Sequence, residues 1–185
     1  MTEKIVQRVF RAEFDVHRSQ RIIEGRAVPY GVAERVSDDG VTSYLEEWQM
    51  GAFARALLPA NMGRVRFQYT HENEDDLGRW IGRTTRLREL KDGLYGEWKV
   101  DESAWGDAVL FKVADGQLPG LSISATPIAN TARGEIVLRT KAHLRHVAAV
   151  PQGAFSDALV TAVRAAQPMH PRADAWRERL AQLKR

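Results

Sequence analysis

A chain of 185 residues, 44% hydrophobic and 28% charged, has the size and composition of one globular domain with a core of its own. It holds no cysteine, which removes disulfides, thiol nucleophiles and thiolate metal sites together. The formal charge of +3 is spread among Asp and Glu rather than massed, the start Met1-Thr2-Glu3-Lys4-Ile5 has no apolar export signal, and no run approaches the roughly 18 apolar residues of a membrane span, so neither nucleic acid nor a membrane is expected as a partner.

Residues 1–18 mix charge with isolated apolar positions (Val9, Phe10, Phe14, Val16) and read as a first strand or an N-terminal arm. Arg21 to Val28 is β-prone and closes at Pro29-Tyr30-Gly31; after the loop Ser37-Asp38-Asp39-Gly40 a second strand runs through Tyr44, Leu45 and Trp48. Gly51 to Leu58 switches to helix formers, with Phe53, Ala56 and Leu57 at helical spacing, which predicts a short helix ended by Pro59. Val65 to Tyr69 alternates with period two and runs into a polar loop, placing His71 at a strand end. Glu72, Glu74, Asp75 and Asp76 lack the glycine spacing of a cation loop, so they read as a solvated acidic loop and no metal is expected.

Trp80 to Leu87 and Gly93 to Val100 read as a hairpin whose Asp92-Gly93 turn supplies a positive φ. Ser103 to Ala114 has helical spacing, with Asp101 or Ser103 as the cap and Gly116 as the stop. The Pro119-Gly120 turn then opens a β-prone run, so Ser122 is expected at a strand start beside the opening of the fold. Ile136 to Leu138 and Ala142 to Val150 are two further β-prone runs, and Phe155 to Ala165 is an amphipathic helix. Gln167-Pro168-Met169-His170-Pro171 breaks the chain before a charged helical tail, Ala173 to Arg185. The division is thus an arm or first strand (1–18), a main domain (19–166) and a linker with tail (167–185). About seven strands with irregularly placed helices argue for a mainly β, α+β fold, a mostly antiparallel barrel or sandwich.

A serine hydroxyl needs a base within hydrogen-bond reach to act as a nucleophile, and His71 and His146 are the plausible suppliers. We read Ser122, His71 and His146 as a Ser-His-His proteolytic centre. Period two puts Ser124 on the same face as Ser122, which makes Ser124 the rival nucleophile. It also puts His146 with Leu144 and Ala148 and turns His143 away, so a hydrogen-bonded core histidine is the competing reading of His146. His71 has a rival reading as a strand-end cap. Phosphate-loop, His-Glu-x-x-His and EF-hand patterns are missing from the sequence, and no cofactor is expected. Backbone oxyanion donors leave no residue signature; Arg133, Arg139 and Arg145 are candidates for side-chain help.

The succession Glu46-Glu47-Trp48-Gln49-Met50-Gly51-Ala52-Phe53-Ala54-Arg55-Ala56-Leu57, Val65 to His71, Gly93-Leu94-Tyr95 and Gly120-Leu121-Ser122-Ile123 resembles the tailed-phage prohead (capsid maturation) serine protease family. The likeness runs in order over roughly residues 20–160. It implies a herpesvirus-assemblin-like β-barrel flanked by helices, with Ser122 as nucleophile and His71 as base. The family's third member is commonly a Glu or Asp before a hydrophobic run; Leu144-Arg145-His146-Val147 puts His146 there, a role assemblin-type proteases also give to His. A neutral imidazole can orient the base but stabilises its charged form less than a carboxylate does, so a slow enzyme is expected. The resemblance implies a serine endopeptidase that trims scaffold and capsid-protein extensions inside the immature capsid, in the host cytoplasm. Its partners would be the phage major capsid protein and the scaffold or its delta-like domain, with self-association and self-cleavage near residues 160–175 as further expectations. The alternative is a catalytically inactive homologue serving as assembly scaffold or chaperone.

Overall fold

The computed structural model describes residues 6–11, 14–17, 20–38, 41–70 and 80–151. They form β1 (Val6–Arg11), β2 (Phe14–His17), β3 (Ile22–Pro29), β4 (Glu34–Ser37), β5 (Ser43–Trp48), α1 (Pro59–Met62), β6 (Arg66–Tyr69), β7 (Trp80–Leu90), β8 (Gly93–Val100), α2 (Ala104–Ala114), β9 (Gly120–Arg133) and β10 (Ile136–Val150). One sheet joins the strands in the order β1-β9-β10-β6-β7-β8-β3-β2, with β5 also on β10 and β4 on β5. The long β10 seats two short parallel strands on one edge, β5 along 136–139 and β6 along 146–149, while β9 runs antiparallel along the other.

The mainly β, α+β reading holds, and most strand pairings are antiparallel. The seven-strand barrel does not. Among the described residues there are ten strands, because residues 6–17 contribute two and the loop after Ser37 separates β4 from β5. The two runs at 136–138 and 142–150 are a single strand: bulges around Lys141 absorb the irregular stretch, and Thr140 Oγ1 donates to the Ala129 carbonyl at 3.1 Å. Among the described residues no pairing joins the end strands β1 and β2, so the described sheet is mixed and open.

The expected helix over 51–58 is a chain of tight turns. Gly51 sits at φ 91°, and Ala52, Ala54 and Ala56 each bond the carbonyl three residues back. Its apolar positions are nonetheless buried (Ala52, Phe53, Ala56), and Phe53 stacks on Trp48 with ring centroids 4.9 Å apart. Pro59 starts α1 instead of ending a helix, since its fixed φ and missing N–H suit the first helical position. α2 follows the sequence reading: Ser103 Oγ accepts from the Gly106 N–H at 3.0 Å, and Gly116, at φ 74°, stops it.

The β7–β8 hairpin forms as expected, but Gly93 is not at positive φ. It is needed for close approach, because a Cβ there would stand 2.5 Å from the Val28 carbonyl oxygen of the neighbouring β3. The core lies on the face carrying Leu121, Ile123, Val147, Phe67 and Trp98, all fully buried, with the last two rings stacked at 5.2 Å. The predicted helix 155–165, the break at 167–171, the tail and the acidic loop 72–76 lie outside the described residues.

Candidate active site

β9 explains why Ser122 and Ser124 stand where they do. It is flanked by β1 on one side and β10 on the other, with Val9 and Ala148 opposite Ser122, and Gln7 and His146 opposite Ser124. The half of β9 that has neighbours on both edges is buried, Leu121 to Thr126 included, whereas Pro127 to Arg133 are half-buried or exposed. The expectation that Ser122 lies beside an opening is therefore corrected: it occupies the strand start but is 0% exposed, and its hydroxyl donates to the Arg8 carbonyl at 2.7 Å. The pairing of β1 on β9, from the far end of the chain, closes that edge.

The bulge between Leu144 and His146 decides which histidine meets the serines. It leaves Leu144 opposite Ala125 and His146 opposite Ser124, so these two residues face opposite sides, although simple alternation puts them together. His143, opposite Thr126, lies on the serine face, with its Nε2 3.5 Å from Arg55 Nη1. His146 is thus the direct cross-strand neighbour of Ser124 and the diagonal neighbour of Ser122. Burial lowers its pKa from 6.5 to about 4, helped by the charges of Arg145 and Arg66. The imidazole is neutral at physiological pH, with one ring nitrogen that donates a hydrogen bond and one that accepts, and it carries no charge.

His71 lies outside the described residues. The strand leading to it does not: β6 runs parallel to β10, with Gln68 opposite Ala148 and Tyr69 opposite Ala149, and the Thr70 N–H donates to the Ala149 carbonyl at 3.2 Å. Thr70 sits at φ 57°, in the left-handed region that a β-branched residue seldom adopts. Gln68, which sequence reasoning passed over, is buried in the same row as Ser122 and Ala148.

A second feature escaped the sequence. Glu46, 2% exposed, lies between two guanidiniums: Arg8 Nε reaches its Oε1 at 2.6 Å and Arg139 Nε its Oε2 at 2.6 Å. Arg8 Nη2 also bonds Asp38 at 2.6 Å and the Tyr44 hydroxyl at 2.9 Å, and Arg139 bonds that hydroxyl at 2.6 Å and Asn130 at 3.0 Å. Burial alone would lower the Arg8 pKa, but Glu46 and Asp38 outweigh it and hold the pKa above its ordinary value. Burial, then the Glu46 charge, pushes the Tyr44 hydroxyl up to about 12. The network locks β1 against β5 and β10, and so fixes the carbonyl that holds Ser122. Its only sequence signal was the acidic pair Glu46-Glu47 inside a strand-prone run. Arg139 is committed here and Arg133 is paired with Glu47, so of the three arginines named from sequence only Arg145 adjoins His146.

Ser122, Ser124 and His146 thus share one buried face of β9 and β10, and β6, on the other side of β10, ends at the strained Thr70. Residues 10–171 match the family model described as caudovirus prohead serine protease, so the chain belongs to the family of phage prohead serine proteases. Among solved structures the chain matches the bacteriophage T4 capsid assembly protease, gp21, at 11% identity and a TM-score of 0.44, over 78% of this chain and 98% of that one. No curated protein matches the chain.

Proposed function

We propose that this chain is a serine endopeptidase that cleaves scaffold and capsid-protein extensions inside the assembling phage capsid, with Ser122 as nucleophile, His71 as base and His146 as the orienting third residue. The observation that carries the reading is the register of three adjacent strands: β9 bears Ser122, β10 bears His146, and β6 ends beside Ala149, opposite Leu121. Two strand spacings amount to about 10 Å, a gap that an imidazole and a serine hydroxyl reach across together. The left-handed Thr70 supports the same reading, because backbone strain concentrates where a functional side chain is aimed. In the proposed reaction His71 takes the hydroxyl proton as Ser122 attacks the scissile carbonyl, then returns it to the leaving amine; water releases the acyl enzyme. His146, neutral, orients the His71 ring without supplying a counter-charge, which makes the enzyme slow. The family position favours Ser122 over Ser124. Self-cleavage near residues 160–175 belongs to the same proposal.

Mass spectrometry of the chain incubated with its capsid and scaffold proteins tests the reading. Cleavage products formed by the wild type and missing with Ser122→Ala are expected. The same products from both, or from neither while the wild type is folded, would favour the inactive assembly factor.

A further inference from the structure

The row of residues that begins with Ser124 and His146 continues across the sheet. Arg66 on β6 stands opposite His146, Arg83 on β7 opposite Arg66, and Lys99 on β8 opposite Arg83. Direct cross-strand partners share a face, so three cations follow the candidate catalytic pair over three strands. Like charges directly opposite each other destabilise a sheet. Arg66 and Arg83 are both exposed, and the ion pairs among the described residues belong to Arg8, Arg21, Arg26, Arg133 and Arg139 instead.

The Arg66 guanidinium lies over the Trp80 ring, 3.2 Å from its centroid, a stacking that fixes the group and keeps its in-plane N–H donors for another partner. Arg83 lines a cleft of about 360 Å³ together with Trp80 and Lys99. The other charged groups at that cleft have partners of their own: Arg21 is paired with Asp107, the Lys99 ammonium with the Gln20 carbonyl, and the Asp101 carboxylate with the Ser103 N–H and hydroxyl. Glu102 is exposed on the rim. Arg66 and Arg83 are cross-strand neighbours on one face, and among the described residues neither is ion-paired with a carboxylate; two such forked cations suit a planar anion, which would offset their repulsion.

We propose that Arg66 and Arg83 form a subsite for an acidic side chain of the extended peptide substrate, so that the protease prefers Glu or Asp near the bond it cleaves. The proposal rests on the proteolytic reading above and names its substrate class. Strand spacings put β6 and β7 about 10 and 14 Å from β9, and an extended peptide covers about 3.4 Å per residue, so the acidic residue sits about two to four positions from the scissile bond once the length of the arginine side chains is counted.

Two measurements on the full chain decide it. In the first, Ser122→Ala protein is titrated with two short fluorescent peptides, one Glu-rich and one with Gln in place of every Glu. The Glu peptide is expected to bind at least about tenfold more tightly, and Arg66→Ala with Arg83→Ala is expected to remove the difference, while the two Lys substitutions keep part of it. Equal binding of the two peptides overturns the proposal. So does a single-stranded oligonucleotide of equal charge that binds more tightly and loses its affinity with the same substitutions. In the second, wild type and the double Ala variant digest a proteome-derived peptide library. Wild-type cuts should be enriched in Glu or Asp two to four residues from the bond, and the variant should cut without that enrichment. Enrichment that survives the double substitution overturns the subsite. A wild type that binds the Glu peptide through these arginines but cuts nothing strikes the proteolytic reading and leaves the subsite standing.

Discussion

Acidification should weaken this fold through His146. The unfolded chain takes up the imidazole proton near pH 6.5, whereas the folded chain does so only near 4, because burial and then Arg145 and Arg66 oppose the charge. Between those values the unfolded state binds more protons, so the contribution is complete above about pH 6.5, declines as the pH falls and levels off below about 4. At about 1.4 kcal/mol per decade, a drop from 6.5 to about 4 amounts to about 3 kcal/mol. That is a large share of a typical domain stability of about 5–15 kcal/mol. The perturbation is His146→Gln, which keeps a polar side chain but does not titrate, and the assay is urea unfolding at several values between about pH 7.5 and about pH 4. Carboxylates titrate alike in both proteins and cancel in the difference. Wild type should lose about 3 kcal/mol more than the variant over that interval. A difference that stays flat with pH would refute the argument that His146 is held neutral by burial and neighbouring cations.

Ser122→Ala should abolish proteolysis and, by deleting the 2.7 Å bond to the Arg8 carbonyl, cost about 1 kcal/mol in urea unfolding; full activity would remove Ser122 from the nucleophile role. His71→Ala should eliminate nearly all cleavage while His146→Ala leaves a measurable remainder, since the base matters more than its orienter; equal and negligible losses in initial rate would break the pairing. Glu46→Ala strands two buried guanidiniums and should destabilise the chain by about 3–5 kcal/mol, and a shift below about 1 kcal/mol would mean that the network does not anchor β1. Ser103→Ala should lower stability by about 1 kcal/mol through loss of the α2 cap, read as a shift of the urea midpoint with unchanged slope.

The features legible in the sequence are those set by neighbours along the chain. The Ser103 cap, the Gly116 stop and the β7–β8 hairpin each depend on bonds within a few residues, and the structure carries all three, whereas the period-two run Val65 to Tyr69 leads into strand β6 but buries Phe67 and Gln68 in succession. The order of motifs likewise pointed to the prohead protease family that the chain matches over residues 10–171. Where local preference was ambiguous, tertiary contacts chose: the apolar spacing of Phe53, Ala56 and Leu57 serves a run of turns as well as a helix, because burial needs the apolar positions and not the helical bonds.

The environment of the candidate site was beyond sequence reading, because it is set by pairings between distant strands. Ser122 is sealed by a carbonyl 114 residues away, and nothing in residues 118–126 says that β1 will lie beside them. A one-residue slip at Arg145 moves His146 away from the Leu144 side and onto the serine face, since a period of two turns any bulge into an exchange of faces. Net charge was equally silent: +3 over the whole chain hides both a carboxylate buried between two arginines and a row of exposed cations, because the sum does not register which charges the sheet brings together.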